Sequence, residues 1–475
     1  MLAESFISLY IENMNYTSLK EQLFQDYSKK YPRSEILNIR GRKVLVDGGS
    51  HAIRLLDPFP PRIRSAKGAY IVSEEGESIL DFWQGHHANI LGHNPEAVCS
   101  PLSRAFSERF GLQTGFTDNL QIETAEILCK AVGAEKVRFT TSGSLATMYS
   151  IVLARAFTGR DLVMKIGGGW HGAQPWGLKG VDFHYDSDRF QHLDSEGLPP
   201  EIDKELIVTP YNNCQALEEN MKKYGDSIAC FIMEPFIGAG GFFPADREFI
   251  ETAYSLTRKY GVLLIFDEVI SGFRFCPGNA SSLYGVQPDL ATFGKIIGGG
   301  MPVSAVAGKG DIMDLSGSGG KNRVKFSGGT YSAHPASLLA AKIQMQYLID
   351  HQEEVYPHIG NLGEKVRISA EKIFQEEGVY ACCTGYGNDA VKQSSLSMLF
   401  FPHKEGYRIT KPSETRDPSV LDIELGSQIL QICLLLQNVH IFHGIGSVSF
   451  AHTDEDINFF QEALRAVARI FRSHR

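Results

Sequence analysis

The sequence predicts an α/β fold with one large domain, a mostly parallel sheet covered by helices, and a smaller α+β domain. Three observations predict it. The 475 residues exceed the size at which one hydrophobic core keeps growing, so at least two packed units are expected. From about residue 95, helical stretches alternate with short apolar runs. Those runs are rich in Val, Ile, Leu and Phe without polar alternation, as is typical of parallel strands buried on both faces.

Residues 1–94 are predicted to pack with the smaller domain. An amphipathic helix is expected from about Ser18 to Tyr31, because Pro32 closes the pattern. The segments GAYIVS and ESILDFW follow as a strand pair around an acidic turn. The opening stretch MLAESFISLYIENM carries two glutamates and no basic residue, so it is not expected to be a signal peptide.

The large domain is predicted over residues 95–351 and the smaller domain over residues 352–475. The expected strands of the large domain are KVRFT, LVMKI, IACFIM, VLLIF and LATF, and those of the smaller domain are LSMLFF and VHIFHG. The expected helices are Asn119–Val132, Leu145–Phe157, Asn213–Tyr224, Arg247–Tyr260, Pro335 to about His351, and Asp454 to about Phe471.

Composition excludes several classes of protein. Hydrophobic residues at 43% and charged residues at 21% are an ordinary globular balance, which argues against a disordered chain. The net charge of −9, without basic runs, predicts no binding to nucleic acid or to an anionic membrane. No run of about 18 apolar residues exists, so no transmembrane helix is expected. The eight scattered cysteines lack a CxxC pair, which favours buried thiols of a cytosolic protein and no metal site.

Polar residues follow three of the apolar runs, where ligands bind in open α/β sheets. Residues 140–144, TTSGS, open a helix and would make either an anion site or an ordinary N-cap. Asp267 follows VLLIF and needs a partner, which could be a ligand or a structural ion pair. Lys295 follows LATF beside three glycines, and it could reach a ligand or lie on the surface.

The combination of these features is more informative than each one alone. A Walker-type phosphate loop does not fit the sequence around Lys295, and no GxGxxG follows the first buried strand. A phosphate cradle, a strand-end aspartate and a strand-end lysine on one sheet suit pyridoxal 5′-phosphate (PLP). The lysine would form the Schiff base, the aspartate would keep the pyridine nitrogen protonated, and the helix N-terminus would hold the phosphate.

Five segments carry a specific resemblance: TTSGSLAT, FDEVISGFRF, FGKIIGGGMPVSAVAG, FSGGTYSAHP and SFAHTDEDI. Through them the chain resembles the class III aminotransferases from about Asp47 to its C-terminus. These enzymes are PLP-dependent transferases of fold type I. Within the class, the chain is most similar to the glutamate-1-semialdehyde aminomutase-like branch.

The resemblance implies a role for each matching residue. Lys295 is the Schiff-base lysine, Asp267 pairs with the pyridine nitrogen, and Val269 packs on one face of the ring. The other implied cofactor contacts are Ser142, Gly143 and Ser144 at the phosphate, Trp170 on the second ring face followed by His171, Glu234 close to the cofactor, and Thr330 at the phosphate of the neighbouring subunit in a homodimer. A core tryptophan is the alternative for Trp170.

The chain also departs from the family pattern. EPFIGAGG has Ala239 where ω-aminotransferases carry glutamate and the aminomutases carry asparagine. The segment WHGAQPWGLKGVDFHYD is shorter than the aminomutase loop that it matches. His86 replaces a tryptophan near the substrate, and Arg54 lies close to the position of the arginine that binds the substrate carboxylate. The alternatives are a core histidine for His86 and a surface arginine for Arg54.

The predicted function is transfer of an amino group between an amino acid or amine and an oxo acid, through a Lys295 Schiff base with PLP. An intramolecular aminomutase of the glutamate-1-semialdehyde type is the first alternative, disfavoured by the short loop and Ala239. A non-catalytic PLP-binding protein is the second. The expected partners are a small-molecule amino donor, an oxo-acid acceptor and a second copy of the chain with shared active sites, in the cytoplasm.

Overall fold

The computed structural model describes residues 16–184, 189–318, 323–442 and 444–474. The prediction that residues 1–14 are not a signal peptide lies outside these ranges. Within them, no helix combines the length and the apolar character needed to cross a membrane. All eight cysteines are described, and each is a free thiol.

The described chain opens with two helices and three strands. They are α1 (Thr17–Lys30), α2 (Pro32–Arg42), β1 (Ile63–Lys67), β2 (Tyr70–Ser73) and β3 (Ser78–Asp81). Pro32 is tolerated at the first position of α2, where its missing N–H has no intrahelical partner to lose. The three strands pair in antiparallel order, and a turn at Gln84–His87 follows them.

A seven-stranded sheet forms the centre of the molecule. The strands that follow β3 are β4 (Lys136–Thr140), β5 (Leu162–Ile166), β6 (Leu206–Thr209), β7 (Ile228–Met233), β8 (Phe236–Ile237), β9 (Phe243–Pro244), β10 (Leu263–Glu268), β11 (Leu290–Phe293) and β12 (Ser304–Gly308). Their order in the central sheet is β4-β12-β11-β10-β7-β5-β6, with β8 and β9 in a separate hairpin. Strand β12 runs opposite to the other strands of this sheet, so its pairs with β4 and β11 are antiparallel and the remaining pairs are parallel.

Helices lie between these strands in the sequence. They are α3 (Glu96–Ser107), α4 (Asn119–Val132), α5 (Gly143–Thr158), α6 (Pro200–Lys204), α7 (Cys214–Tyr224), α8 (Arg247–Tyr260) and α9 (Gly310–Met313). Side-chain caps begin three of them: Asp118 accepts from the N–H of Gln121 before α4, Ser142 from the N–H of Leu145 at α5, and Asn213 from the N–H of Ala216 before α7. Every residue of β7 and β10 is buried, as expected for strands covered on both faces.

The C-terminal part adds four helices and four short strands. They are α10 (Pro335–Asp350), α11 (Gln352–Glu376), β13 (Cys382–Thr384), β14 (Leu396–Phe400), α12 (Leu430–Leu436), β15 (Val439–His440), β16 (Gly446–Ser447) and α13 (Asp454–Ser473). Strands β13, β14 and β16 form a small sheet, whereas β15 pairs with β3. That pairing joins the N-terminal strands to the C-terminal part of the chain.

The predicted fold class is confirmed, with corrections at individual elements. All five strands predicted for the large domain exist, but β10 extends two residues beyond the VLLIF run, so Asp267 lies within the strand. The VHIFHG run forms a strand only at Val439–His440. The sequence prediction missed seven strands, which are β1, β6, β8, β9, β12, β13 and β16. It also missed six helices, which are α2, α3, α6, α9, α12 and the 25-residue α11. The three-part division into domains stays a prediction.

Candidate active site

A cavity of about 530 Å³ lies at the carboxyl ends of the parallel strands. Segments that follow β4, β5, β7 and β11 line it together with the end of β10. Polar groups therefore converge there from five strands, the arrangement expected of a ligand site in an open α/β sheet. The lining residues that carry the argument are Ser142, Gly143, Trp170, His171, Glu234, Asp267 and Lys295.

Asp267 lies near the end of β10, and its carboxylate has three protein partners. Its Oδ1 accepts hydrogen bonds from the hydroxyl of Thr292 at 3.0 Å and from the N–H of Val269 at 3.1 Å. Its Oδ2 lies 2.8 Å from Nδ1 of His171. Because the residue is 3% exposed, this carboxylate is fixed in one orientation against the floor of the cavity.

His171 is fully buried beneath the cavity and orients Asp267. Burial lowers the pKa of His171, and the hydrogen bond to Asp267 opposes that effect. Its Nδ1 donates to the carboxylate in the neutral tautomer, which leaves Nε2 without a proton. No hydrogen-bond partner of Nε2 is found in the described ranges. The imidazole thus acts as a neutral support for a charged aspartate.

Lys295 follows β11 and lines the same cavity as Asp267. Burial lowers the pKa of Lys295, Asp267 and Glu234 oppose this, and the charge of Arg274 lowers it further. Its backbone has φ of 46°, a left-handed conformation that costs a residue with a side chain about 1–2 kcal/mol. The lowered pKa makes the neutral, nucleophilic amine more accessible than in a surface lysine.

Glu234 places a second carboxyl group in the cavity. Its Oε1 accepts from the N–H of Trp170 at 3.0 Å, and its Oε2 accepts from the N–H of Gly238 at 2.9 Å. Burial and the charge of Asp267 raise the pKa of Glu234 to about 8, although the two N–H groups and Lys295 act in the opposite direction. The raised pKa favours the neutral form of Glu234.

The N-terminus of α5 forms the opposite wall of the cavity. Gly143 and Ser144 are in its first turn, where N–H groups have no partner within a helix. A Cβ at Gly143 would lie 3.1 Å from the methyl groups of Val269, so only glycine leaves this backbone open to the cavity. A 16-residue helix with open N–H groups at its start favours a phosphate.

A buried lysine supports the loop that carries Trp170 and His171. Nζ of Lys165 donates to the carbonyl oxygens of Gly169 at 3.0 Å, Gly177 at 3.1 Å and Lys179 at 2.6 Å. Burial lowers the pKa of Lys165 to about 7, whereas three carbonyl partners favour the ammonium form. The interaction ties this loop to β5.

The remaining predicted site residues are placed as follows. Val269 lines the cavity, and so does Trp170, whose side chain is 41% exposed. Arg54 also lines the cavity, and its Nε donates to Nε2 of His86 at 3.1 Å. Thr330 is exposed and does not line the cavity within one chain. The roles predicted for all of these residues stay predictions.

Sequence reasoning missed three residues of the site. Thr292 holds Asp267, Ser304 lines the cavity from the first residue of β12, and Asn89 lines it from the turn after β3. Thr292 could have been found, since it is the one hydroxyl residue of the LATF run that leads to Lys295. No sequence pattern pointed to Asn89, because its position depends on the backbone of the preceding turn.

Comparison with known proteins agrees with this geometry. Residues 55–379 match the family model described as aminotransferase class-III. The glutamate-1-semialdehyde 2,1-aminomutase of Sulfurihydrogenibium sp. (strain YO3AOP1) is 35% identical over 390 residues, which cover 81% of this chain and 87% of that protein. An omega-transaminase from Sphaerobacter thermophilus superposes with a TM-score of 0.82 at 29% identity, over 93% of this chain and 98% of that one. A transaminase with PLP bound superposes with a TM-score of 0.80 at 26% identity, over 93% and 98%.

Proposed function

Because the chain belongs to the class-III aminotransferase family, we propose that it transfers an amino group between an amino acid or amine and an oxo acid, with PLP in this cavity. The observation that carries the proposal is the convergence of Lys295, Asp267 and the N-terminus of α5 on one space of about 530 Å³. An amine, a carboxylate and a phosphate cradle are the three groups that PLP requires of a protein.

The residues present fit the cofactor. The open N–H groups of Gly143 and Ser144 would hold the phosphate, and Ser142 would add its hydroxyl. Val269 and Trp170 would lie against the two faces of the ring. A Cβ at Gly294 would lie 2.8 Å from Oγ of Ser304, so this glycine also keeps the cavity open beside Lys295.

Asp267 would hold a proton on the pyridine nitrogen. Its carboxylate is fixed by Thr292, Val269 and His171, so it would need no reorganisation when the ring binds. Bound PLP supplies an electron-withdrawing ring that accepts the negative charge left when a substrate carbon loses a proton. Asp267, oriented by His171, would be the residue that favours a cationic ring.

Lys295 would anchor the cofactor and then act as general base and acid. Burial lowers the pKa of Lys295, so its amine spends more time neutral and able to take a proton from the substrate carbon. The protonated amine would then be the acid that returns this proton, so that both proton transfers would be carried out by Lys295. Glu234 would keep the charge of the cavity low, since its raised pKa favours the neutral acid.

An intramolecular aminomutase is the second candidate. The curated relative that is 35% identical carries that name, which favours it. The short loop after Trp170 favours the aminotransferase, whereas Ala239 departs from the pattern of both groups. The two activities differ in one requirement: an aminomutase converts glutamate-1-semialdehyde without a separate oxo acid, whereas an aminotransferase stops after the first half-reaction until an oxo acid is supplied.

The decisive test is the Lys295→Ala variant. The wild-type protein should bind PLP with the visible absorbance of a lysine-bound cofactor and lose that absorbance when an amino donor is added. Lys295→Ala should fold normally and show neither signal. Lys309→Ala is a matched control, because Lys309 pairs with Asp289 outside the cavity. A lysine-bound spectrum in Lys295→Ala would reject Lys295 as the anchor.

A homodimer with shared active sites is part of the same proposal. Large apolar side chains are exposed around Thr114 and Thr330, including Leu112 at 77% and Phe116 at 76%. Oγ1 of Thr114 donates to the carbonyl of Thr330 at 3.1 Å, so Thr330 belongs to this surface. A second copy that covers the apolar side chains would bring Thr330 toward the partner's phosphate site.

Eight free thiols support a cytoplasmic location.

A further inference from the structure

The turn after β3 has an unusual backbone that shapes one wall of the cavity. Gln84, Gly85, His86 and His87 have φ values of 45°, 60°, 61° and 64° in succession. Three of these four residues have side chains, and each costs about 1–2 kcal/mol in the left-handed region. The turn places Gly85, together with the following Ala88 and Asn89, on the cavity wall. Such strain persists only where surrounding contacts hold it.

Asp81, the last residue of β3, is the group that holds the turn. Its Oδ1 accepts from the N–H of Trp83 at 3.0 Å, and its Oδ2 accepts from the N–H of Gln84 at 2.9 Å. Nδ1 of His440 and Nε2 of His93 also lie 2.7 Å from its two oxygens. Burial alone would raise the pKa of Asp81, but the hydrogen bonds from His440 and His93 hold it well below its usual range.

The hydrogen bonds fix which way the Asn89 amide faces. Nε2 of His93 faces the Asp81 carboxylate, which can only accept, and Nδ1 is the other nitrogen of the same ring. That Nδ1 lies 3.1 Å from Nδ2 of Asn89, which is the only nitrogen of the amide and must be the donor. The carbonyl Oδ1 of Asn89 is left without a hydrogen-bond partner in the part of the chain that the structure describes, on a residue that lines the cavity.

We propose that Asn89 is a specificity-determining residue whose carbonyl accepts a hydrogen bond from the amino substrate, with Asp81 and His93 as positioning residues. This inference rests on the proposed aminotransferase function and narrows its substrate class. The favoured amino donors carry a second hydrogen-bond donor, a hydroxyl or an ammonium group, in addition to the amine that reacts. A substrate with a methyl group at that position leaves the carbonyl unpaired when water is displaced.

The test compares amines that differ only in this group. The pairs are L-serine with L-2-aminobutyrate, L-homoserine with L-norvaline, and 1,4-diaminobutane with pentylamine. Each is mixed with the PLP-loaded protein, and the loss of cofactor absorbance gives an apparent dissociation constant and a maximal rate. The wild-type protein should prefer the donor-bearing member of at least one pair, by roughly three- to tenfold for a hydroxyl and ten- to a hundredfold for an ammonium.

In Asn89→Ala that preference should fall to about one, through weaker binding of the donor-bearing amine and with little change in maximal rate. Asn94→Ala is the matched control. Asn94 lies five residues away, and its Nδ2 donates to the carbonyl of Ala66 at 2.8 Å outside the cavity. This control should lower the midpoint of thermal unfolding and keep the preference.

Asp81→Asn tests the positioning role. The amide offers one acceptor where four donors converge, so the midpoint of thermal unfolding should drop and the preference should fall. If Asp81 acts through Asn89, the double variant Asp81→Asn/Asn89→Ala should show the same preference as Asn89→Ala alone. A further, additive loss in the double variant would contradict the positioning role.

The outcomes separate this inference from the proposed function. A wild-type protein that reacts with none of the six amines contradicts the aminotransferase itself, and the inference with it. A wild-type protein that reacts without preferring a donor, or an Asn89→Ala variant that keeps the preference, contradicts only the role of Asn89. Weaker PLP binding in Asn89→Ala, with the preference intact, would show that the amide serves the cofactor instead.

Discussion

Replacing Asp267 by asparagine removes one charge and keeps the shape of the site. The amide oxygen of the introduced side chain would occupy the Oδ1 position and still accept from Thr292 and from the N–H of Val269. Its NH₂ group would then face Nδ1 of His171. His171 can adapt by moving its proton to Nε2, which has no hydrogen-bond partner among the described residues. The variant is therefore expected to fold and to bind PLP.

The substitution should lower the catalytic efficiency, kcat/KM, and leave folding and cofactor binding in place. An NH₂ group at this position donates, so it cannot hold a proton on the pyridine nitrogen. Two unit charges about 4 Å apart contribute about 4 kcal/mol at an effective dielectric constant of about 20. Because about 1.36 kcal/mol corresponds to a tenfold change, Asp267→Asn should lower kcat/KM by roughly a thousandfold.

The measurement is kcat/KM of the PLP-loaded variant, together with its cofactor content and its midpoint of thermal unfolding. Asp289→Asn is the matched control, since Asp289 is a buried aspartate on the same sheet that pairs with Arg258 and Lys309 away from the cavity. The control should lose stability and keep kcat/KM. A kcat/KM for Asp267→Asn within about threefold of wild type would refute the assignment of Asp267 to the ring nitrogen.

Three further predictions follow from the same geometry. Burial raises the pKa of Glu234 to about 8, and the stability that this contributes is fully present below the ordinary value of 4.5 and is lost as pH rises through 8. The free energy of unfolding of the PLP-free protein, measured in urea, should therefore fall from pH 4.5 to 8, and it should fall less in Glu234→Gln. Arg54→Ala should weaken kcat/KM for carboxylated substrates roughly ten- to a hundredfold and for uncharged amines little, and equal losses on both would show that Arg54 does not bind the carboxylate. Phe116→Asp should shift the protein from dimer to monomer in sedimentation velocity, whereas an unchanged sedimentation coefficient would place the dimer interface elsewhere.

The central strands could be predicted from the sequence because burial on both faces leaves a plain signature. The runs IACFIM and LATF contain no charged residue, and every residue in both is buried. Strand β12 gave no such signature. Its sequence SAVAG consists mostly of small residues, because a Cβ at Gly308 would meet the backbone of Asp289 and Leu290. Close approach of two strands selects small side chains, and small side chains weaken the apolar pattern.

The residues of the cavity also divide into those that the sequence indicated and those that it did not. A convergence of Lys295 and Asp267 could be anticipated, since each lies at the end of an apolar strand, where ligands bind in open α/β sheets, and both line one cavity. The roles predicted for them stay predictions. The support of Asp267 by Thr292 and His171 depends on register between β10 and β11 and on the fold of the loop after β5. Those contacts come from residues 25 and 96 positions away, and no local pattern encodes them.

The wall of the cavity shows why substrate residues are harder to predict than cofactor residues. A four-residue left-handed turn in which only Gly85 is glycine contradicts local propensity, so a sequence pattern cannot predict it. Asp81 holds the turn with the help of His440, which is 359 positions away on β15. Lys295 and Asp267 are thus fixed by the central sheet, whereas the wall with Gly85, Ala88 and Asn89 is fixed by the pairing of β3 with β15. Changes at His440 in the C-terminal part are therefore expected to move this wall while Lys295 and Asp267 keep their places.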